Sequence, residues 1–448
     1  MPILGNRIPP GPKGLPILGA ALDIREDPLR SLRLMTREYG DIVRFHVMTR
    51  ERILLNHPDL IYQVLVIQHS KFHKSELTRR ITVRMLGQGL LISEGDFWRR
   101  QRRLVQPAFH RSRVNDYAAS MLELAEAHIR DWRDGDERNI AEEMMALTLG
   151  IAVRTLFGGT LSGEAAGVGR AMTFLMRYSL RRQRAPLRIP ENWPTPKNRR
   201  ANRELAYMDS VVYRIISERQ SSGSGVHNDL LSLLMGAMDD DGSQMTRQQL
   251  HDEAMTLFIA GHETTSQMLS WTWYALSQNP AAESRLYEEL RTLDGKALTP
   301  ADLARLPYLQ AVMNEVLRMY PPAYIMAREV VETCQLGGYE FAPGTTILFS
   351  QWVTHRDPRF FDDPDEFRPE RWLDGLADRL PPGAYFPFGA GPRRCIGEGF
   401  ALLEAATVIA TIGRRFSFTL NPAIPVVPEP LVTLRSRNGI HLRLHARE

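Results

Sequence analysis

Apolar side chains recur with the spacing of an α-helix through the middle of the chain. Between residues 115 and 330 this pattern is interrupted by polar turns, so we expect mostly helices there. The longest helical pattern, 246–278, begins with Thr246 and Gln249 in the arrangement of a capping box. The other clear helical stretches are 119–133, 203–219 and 308–319. The pattern predicts a mainly helical protein.

Two other regions alternate apolar and polar positions, which is typical of strands. Residues 40–57 alternate in runs rich in β-branched side chains, and residues 336–350 do so around Gly337 and Gly338. We expect short hairpin strands in both. Residues 9–16, Pro-Pro-Gly-Pro-Lys-Gly-Leu-Pro, cannot form a helix and are expected to be an irregular entry segment. The predicted fold class is mainly α with small β-sheets (α+β) and a long central helix.

The chain has no internal repeat or low-complexity tract, and its one linker-like run is Ser221-Ser222-Gly223-Ser224-Gly225. This run is too short to separate two large bodies, so we expect residues 1–448 to form a single domain. Residues 184–200 combine four prolines with several arginines. We expect them to form a long exposed connection between helices, which could serve as a lid.

Composition favours a globular protein over a membrane or nucleic-acid-binding one. With 43% hydrophobic and 24% charged residues, the chain can bury a large core. No stretch reaches the ~18 to 20 apolar residues that span a bilayer, and the first residues lack a signal-peptide pattern. Two cysteines are too few for a disulfide framework, and a net charge of +4 does not indicate nucleic acid. We expect a cytoplasmic protein without a transmembrane anchor.

The strongest chemical signal surrounds Cys395. The sequence Phe388-Gly-Ala-Gly-Pro-Arg-Arg-Cys-Ile-Gly397 has glycines where backbone must approach a ligand closely, and a helix is predicted just after the cysteine. The amides and dipole of that helix would stabilise a thiolate. The alternatives are a buried structural cysteine or a zinc ligand, but no second cysteine or histidine lies at zinc-ligand spacing. Cys334 lies in a predicted strand without such neighbours and is expected to be structural.

This decapeptide resembles the haem-binding loop of the cytochrome P-450 family, F-x-x-G-x-R-x-C-x-G, and matches it at every defining position. The resemblance implies that Cys395 ligates the iron of haem b. It also implies that Phe388, Gly391 and Gly397 belong to the cofactor-binding loop. A cysteine ligand makes haem iron electron-rich, which favours cleavage of the dioxygen O–O bond.

A second signal, Ala260-Gly261-His262-Glu263-Thr264-Thr265, lies inside the long helix, which would be roughly 45 Å long. Gly261 and the threonine hydroxyls are expected to weaken the helix at this turn. The sequence resembles the P-450 oxygen-activation motif, A/G-G-x-D/E-T, which implies that Thr264 hydrogen-bonds oxygen at the iron and Glu263 relays protons. Alone, such a turn is more often a solvated face. His262 raises the alternative of a sixth iron ligand in an electron carrier.

A third signal is Glu315-x-x-Arg318, followed by Pro369-Glu-Arg371-Trp372. Residues three apart share a helix face, so Glu315 and Arg318 can pair. The order of these segments matches the P-450 family, in which Arg371 would complete a buried structural triad. The same spacing also occurs in two other places, interpreted as surface pairs: Glu76 with Arg79 and Glu288 with Arg291.

The fourth signal is Trp98-x-x-x-Arg102, which puts an indole N–H and a guanidinium on one helix face. Both groups suit a haem propionate. The family resemblance assigns them that role and extends it to Arg328 and Arg393. His355, in a recurrent family sequence, is assigned no ligand role.

Six arginines and no acid occur between Phe97 and Arg113. Arg99, Arg100 and Arg103 are expected to point away from the Trp98 face. In the family this surface receives an acidic electron donor, so the resemblance implies a ferredoxin or flavodoxin partner. The alternative is a solvated basic helix.

The resemblance covers nearly the whole chain and implies a monooxygenase, which inserts one atom of dioxygen into an apolar substrate. Alternatives are a haem-thiolate peroxygenase or isomerase, or a haem sensor or electron carrier. By family position, the pocket would be lined from the 77–92 loop, Phe258, Ala260, residues 323–326 and residues 431–434. Fatty acids, terpenoids and polyketides all suit these apolar side chains.

Overall fold

The computed structural model describes residues 7–158, 164–184, 189–222, 229–239, 241–293 and 298–447. Contacts group the chain into two compact units, each assembled from three separate stretches. The sheet unit comprises Met1–Glu76, Pro307–Cys395 and Pro428–Arg435. The helical unit comprises Leu77–Leu306, Ile396–Val427 and Ser436–Glu448. Since these stretches alternate along the chain, neither unit is a contiguous segment.

Helices make up most of the described chain. In chain order they are α1 (Ala21–Glu26), α2 (Pro28–Tyr39), α3 (Pro58–Tyr62), α4 (Glu76–Leu86), α5 (Gly95–Val105), α6 (Arg111–Asp116), α7 (Ala118–His128), α8 (Ile140–Phe157), α9 (Ala165–Arg184), α10 (Pro196–Ser222), α11 (Leu230–Gly236), α12 (Arg247–Gln278), α13 (Pro280–Arg291), α14 (Pro300–Leu303), α15 (Pro307–Met319), α16 (Gln351–Thr354), α17 (Leu376–Arg379) and α18 (Glu398–Gly413). Short 3-10 turns occur at His69–Lys71, Gln106–Phe109, Pro369–Trp372 and Gly391–Arg393, and a π-helical turn at Gln63–Ile67.

The strands are short. In chain order they are β1 (Ile42–Val47), β2 (Arg50–Leu55), β3 (Phe72–His73), β4 (Glu137–Asn139), β5 (Met326–Val330), β6 (Cys334–Leu336), β7 (Tyr339–Phe341), β8 (Thr346–Phe349), β9 (Phe416–Leu420), β10 (Pro428–Pro430), β11 (Leu434–Ser436) and β12 (His441–Ala446). They form a five-stranded sheet ordered β1-β2-β8-β5-β3, a three-stranded sheet ordered β4-β12-β9, and the pairs β6-β7 and β10-β11.

The five-stranded sheet belongs to the sheet unit. Its β1 and β2 form an antiparallel hairpin, whereas β2 runs parallel to β8, with Ile53 opposite Ile347. Strand β5 pairs antiparallel with β8, which places Arg328 opposite Ile347. Fully buried side chains such as Ile53, Ile347 and Phe349 pack on one side of this sheet. The alternating apolar pattern of the sequence supplies this core, and β5 presents Arg328 from a rigid strand.

The helical unit is organised around α12, which packs against α8, α10 and α18. Its first turn has the predicted capping box: the Thr246 hydroxyl accepts from the Gln249 N–H at 3.2 Å, and the Gln249 side chain accepts from the Thr246 N–H at 2.8 Å. The Thr148 hydroxyl on α8 donates to the His262 carbonyl at 3.0 Å. α12 is therefore fixed at its start and in its centre.

Most of the predicted elements are confirmed. The four helical stretches correspond to α7, α10, α12 and α15. The two alternating regions contain β1-β2 and β7-β8, the second also including the last residue of β6, and residues 9–16 are not helical. The fold is mainly helical with small sheets, as predicted. No described helix has the length and apolar character needed to cross a membrane.

Three expectations require correction or lie partly outside the description. The segment 184–200 is shorter than expected as a connection, because α10 already begins at Pro196, and residues 185–188 are not among those described. The expected loop 77–92 is helical as far as Leu86. The expected linker run includes residues 223–225, which also lie outside the described ranges.

Candidate active site

Cys395 lies at the end of a tight loop that follows the 3-10 turn Gly391–Arg393. The Cys395 N–H donates to the Phe388 carbonyl at 2.9 Å, and Cys395 is an exposed residue. Gly391 has a φ of +67°, and a Cβ there would lie 2.0 Å from the Leu65 carbonyl oxygen. No other residue type fits this position without moving the backbone. Gly391 therefore permits the loop conformation that holds Cys395 in place.

His355 anchors the start of this loop, a role that sequence reasoning did not assign to it. Its ring is fully buried, and Nε2 accepts from the Phe386 N–H at 3.0 Å. Burial, together with the nearby Arg318 and Arg356 guanidiniums, lowers the pKa of His355 to about 3. The neutral ring keeps Nε2 as an acceptor, which is what the backbone N–H requires.

Arg328 and Arg393, the predicted propionate ligands of the sheet unit, come from neighbouring segments. Arg328 is buried on β5, lies 5.9 Å from the ring centre of Phe349, and donates to the Ala327 carbonyl at 2.9 Å. Arg393 is half-buried in the 3-10 turn before Cys395. A Cβ on Gly389 of the cysteine loop, residues 386–395, would lie 3.5 Å from Met326 of β5. The strand and the loop are therefore in contact.

The predicted triad of Glu315, Arg318 and Arg371 is present and buried. The Glu315 carboxylate accepts from Arg318 at 2.8 and 2.9 Å and from Arg371 at 3.1 Å. Trp372 adds an indole N–H at 2.9 Å and Arg368 a backbone N–H at 2.8 Å, so the carboxylate accepts five hydrogen bonds. This group is structural, since its donors occupy the hydrogen-bond acceptor sites of both carboxylate oxygens of Glu315.

The other two copies of the spacing differ from this one. Glu288 and Arg291 are exposed on α13, and no hydrogen bond or ion pair joins them in the described part of the chain. The side chain of Glu76 lies outside the described residues. Spacing alone therefore does not identify the buried triad, and the order of the segments along the chain was the informative signal.

The oxygen-activation motif occupies the one open stretch in the middle of α12. Between His251 and Trp273 every residue is buried except Ala260, Gly261 and Thr264. These positions, at i, i+1 and i+4, share one face of the helix. A Cβ on Gly261 would meet no described atom within 4 Å. A ligand can therefore approach the helix backbone at this turn.

Thr264 and Glu263 differ in their surroundings. Thr264 is half-buried and its hydroxyl donates to the Ala260 carbonyl at 2.8 Å, whereas Glu263 is buried. The neighbouring Thr265 lies beside Glu404 of α18, whose pKa is raised well above its usual range by burial. Sequence reasoning did not identify Glu404, although its position inside the largely apolar stretch 400–412 is a local signal of burial.

His262 does not occupy a ligand position. It is buried, its Nδ1 bonds the Phe258 carbonyl at 2.8 Å, and its ring packs 5.3 Å from that of Phe258. Phe258 is itself buried, with its ring centre 5.9 Å from that of Phe157, and its expected place in the pocket lining stays a prediction. The structure does not favour a histidine ligand from this helix.

Trp98 and Arg102 are both half-buried on one face of α5, as their spacing predicts. The basic surface predicted to receive an electron donor is less positive than its sequence indicates, because acids pair with its arginines. Arg100 and Arg103 both bind the buried Asp239 carboxylate, with Nε–Oδ distances of 2.9 Å, and Arg99 pairs with Asp96. Much of this basic charge is therefore neutralised by acids.

Two of the expected substrate-contacting segments meet in the sheet unit. The Tyr324 hydroxyl donates to the Leu431 carbonyl at 3.0 Å, and the Leu434 N–H donates to the Pro322 carbonyl at 3.0 Å. Ala323, Met326 and Val432 are at least partly exposed beside these bonds. The result is an apolar surface built from two distant parts of the chain.

The donor set fits haem better than a bare metal ion. Among the described residues no group of three or more histidines, cysteines or acids could bind a metal. A haem would need a single ligand from the protein, because its porphyrin would supply four nitrogens, and a cysteine thiolate could be that ligand. Guanidiniums at Arg328 and Arg393 suit the carboxylates of haem. The residues present therefore fit this cofactor.

Comparison with known proteins agrees with this chemistry. The family model described as cytochrome P450 matches residues 9–442. The chain is 37% identical over 426 residues to cyclooctatin synthase of Streptomyces melanosporofaciens, covering 94% of this chain and 92% of that protein. It is 32% identical to pentalenene oxygenase of Streptomyces avermitilis, covering 97% of each. A solved structure of retinoic acid bound cyanobacterial CYP120A1 matches with a TM-score of 0.88 at 26% identity, covering 98% of this chain and 99% of that one.

Proposed function

This chain belongs to the cytochrome P450 family and is a haem-thiolate monooxygenase, and we propose that Cys395 is its iron ligand. The observation that carries the proposal is the exposed cysteine at the end of a loop shaped by Gly391 and anchored by His355. A deprotonated sulfur in this loop, with amide groups at the start of α18 only three residues on, would be a stable thiolate.

We propose haem b as the form of the cofactor, with its propionates bound by Arg328, Arg393, Trp98 and Arg102. The support is chemical: three guanidiniums and an indole N–H donate without accepting, which suits carboxylates. Phe388, Gly391 and Gly397 would shape the protein around the cofactor. When bound, haem supplies the iron at which dioxygen is reduced by two electrons and one oxygen atom passes to the substrate.

The protein's own part in the reaction is proton handling on α12. Thr264 Oγ1 donates to the Ala260 carbonyl, and rotation of its hydroxyl would let it donate instead to a group on the open face of the helix. Glu263, one residue earlier, is the acid that would resupply this proton. The role of Glu263 requires a rotamer change, since its side chain is buried.

Electrons come from a separate redox protein, and we propose a ferredoxin or a flavodoxin as that donor. Both are acidic as a rule, and the exposed arginine side chains Arg99 and Arg103 on α5 suit such a partner. Because Asp96 and Asp239 pair with these arginines, the attraction would be moderate.

The substrate is lipophilic, and we propose a cyclic terpenoid. The relatives named cyclooctatin synthase, cyclooctat-9-en-7-ol 5-monooxygenase and pentalenene oxygenase support this class over fatty acids and polyketides. The apolar side chains of Ala323 and Met326, which are partly exposed, and of Val432, which is exposed, would contact such a compound. Spin-state titration with cyclic terpenes and with fatty acids of similar size distinguishes these classes.

Replacing Cys395 tests the central assignment. The reduced carbon monoxide complex of the wild type should show the red-shifted Soret band of thiolate-ligated haem, with one haem per chain. Cys395→His should lose this band while still able to bind haem through imidazole. Cys334→Ala is the matched control, since Cys334 is buried on β6 and should leave the band unchanged. A band that persists in Cys395→His would refute the assignment.

A further inference from the structure

Two neighbouring acids of α12 bind the backbone of the segment 87–92, which follows α4. Asp252 Oδ2 accepts from the Gln88 N–H at 2.7 Å, and Glu253 Oε2 accepts from the Leu90 N–H at 3.0 Å. Both acids are buried. Hydrogen bonds from backbone amides to a carboxylate are stronger than those to neutral acceptors. This segment is therefore fixed to α12 by side chains.

Close packing accompanies these hydrogen bonds. A Cβ on Gly87, which has a φ of +53°, would lie 2.0 Å from the Asp252 carboxyl carbon. A Cβ on Gly89 would lie 2.0 Å from the Thr256 hydroxyl and 2.6 Å from the Asp252 carbonyl. Both glycines permit the segment to lie directly against α12, and its position depends on the orientation of Asp252.

His251 connects Asp252 to α10. Its Nδ1 lies 3.1 Å from Asp252 Oδ1 and its Nε2 lies 3.0 Å from Asp209 Oδ1, while the ring stacks on Tyr213 with centres 4.4 Å apart. A ring with a carboxylate at each nitrogen is best satisfied as the doubly protonated imidazolium. Burial opposes this charge, but the hydrogen bonds to Asp209 and Asp252 raise the pKa of His251 to about 9.

The other polar groups around this pair are also defined. Gln248 donates to Asp252 Oδ1 at 2.7 Å and accepts from the Tyr213 hydroxyl at 2.7 Å, and Arg247 lies 5.2 Å from the Tyr213 ring centre. Burial and the charge of Asp252 raise the pKa of Glu253 to about 7. When His251 loses its proton, Asp252 therefore loses a cation while an ionised Glu253 remains beside it.

We propose that His251 and Asp252 are positioning residues: protonated His251 orients Asp252 toward the 87–92 backbone, and this segment in turn determines how tightly substrate binds. The proposal rests on the proposed function, since the contact of this segment with substrate comes from the family position. Neither residue takes part in the chemistry, and none of the contacts described above joins either one to Thr264.

Hydrogen exchange on the holoenzyme directly tests whether protonated His251 and Asp252 hold the 87–92 backbone in place. Protection of peptides spanning 86–94, corrected for the intrinsic effect of pH, should stay high from pH 7.5 to 8.5 in wild type, a range that lies above the pKa of Glu253 at about 7. Protection should fall about fivefold to tenfold as pH rises through about 9. In His251→Gln, the protection of these peptides should be low at every pH and should show no step near pH 9. Asp252→Asn should do the same while preserving the shape of the side chain.

The matched control is His128→Gln. His128, at the end of α7, also contacts a partly buried carboxylate, Glu143 of α8, at 2.8 Å. This variant should keep the wild-type protection and its pH step. Gly89→Ala is a second probe, because it displaces the segment without changing His251. Gly89→Ala should lower the protection of these peptides at every pH. It therefore still shows whether displacing the segment lowers protection if Asp252→Asn folds poorly.

Ligand affinity tests whether the 87–92 segment determines how tightly substrate binds. The spectroscopic probe is 4-phenylimidazole, because its ring is neutral above pH 7. Its dissociation constant should rise about fivefold in His251→Gln at pH 7.5, and the wild type should approach that value above pH 9. Unchanged protection in His251→Gln and Asp252→Asn overturns the proposal. Changed protection with unchanged affinity overturns the link to substrate. Loss of the thiolate band in wild type would instead refute the proposed function itself.

Discussion

Glu315 shows how much one buried carboxylate can determine in this protein. Its two oxygens accept from three side chains and one backbone amide, and Arg318 and Arg371 would be left as buried charges without it. Arg318 also donates to the carbonyls of His355, Pro364 and Glu366. The group therefore connects α15 to the segment that leads into the cysteine loop.

Glu315→Gln should destabilise the holoprotein by roughly 3–5 kcal/mol, because it leaves two guanidiniums buried without an anion. Urea unfolding, followed by the haem spectrum and by circular dichroism, measures this cost. Glu288→Gln is the control, since it has the same spacing to an arginine but is exposed on α13, and it should change stability by less than about 0.5 kcal/mol. Similar costs for both variants would mean that the buried network contributes little.

Contacts that the family resemblance specifies could be predicted, and other distant contacts could not. Helix spacing predicts the pair Glu315 and Arg318, whereas Arg371, 56 residues from Glu315, is assigned only by the resemblance of its segment to the family. The role of His355 does not follow from its own sequence segment, because its partner, the Phe386 N–H, is 31 residues away and only folding brings them together. The same holds for Asp252 and Gln88, which are 164 positions apart. Burial of a polar residue is a tertiary property.

At the scale of elements, α12 combines a structural task with a chemical one. Nearly all of its central residues are buried, and only the turn at Ala260, Gly261 and Thr264 is open. Its length and start could be predicted because periodicity and capping are local properties. The parallel pairing of β2 with β8 could not, since Arg52 and Thr346 are separated by 294 residues.

Replacing Thr264 tests the role of this open turn. Thr264→Ala should leave haem binding and the fold intact, because it removes only a half-buried hydroxyl. Product formed per electron donor consumed should fall, with hydrogen peroxide as the excess product, since a positioned proton donor typically contributes ~10² to 10⁴ in rate. Thr264→Ser retains the hydroxyl and should remain close to wild type. Equal coupling in all three proteins would place the proton donor elsewhere.

At the scale of the whole molecule, the small net charge of +4 makes local charge clusters decisive. Arg99, Arg100 and Arg103 of α5 face two carboxylates, Asp96 and Asp239, and these five groups together carry a charge of +1. The sequence window around α5 could not show this, because Asp239 is 136 residues from Arg103. Reversing all three arginines would also leave the buried Asp239 without its partners and could damage the fold.

Opposite charge changes around α5 therefore give a sharper test of the donor surface. Arg99→Glu should slow reduction by an acidic ferredoxin, whereas Asp239→Asn should accelerate it, because steering by charge changes association rates by ~10 to 10³ at most. Both differences should shrink as salt is raised, since the Debye length is ~8 to 10 Å near physiological ionic strength.

Stopped-flow reduction in the presence of carbon monoxide, across a salt series, measures these rates. Arg305→Glu is the control, because it makes the same charge change at an exposed residue beyond α14 and should match wild type. The ferric haem spectrum should be identical in all variants, which separates electron delivery from damage to the cofactor site. If Arg99→Glu and Arg305→Glu show the same rate and the same salt dependence, the arginines of α5 form a solvated helix face and the donor binds elsewhere.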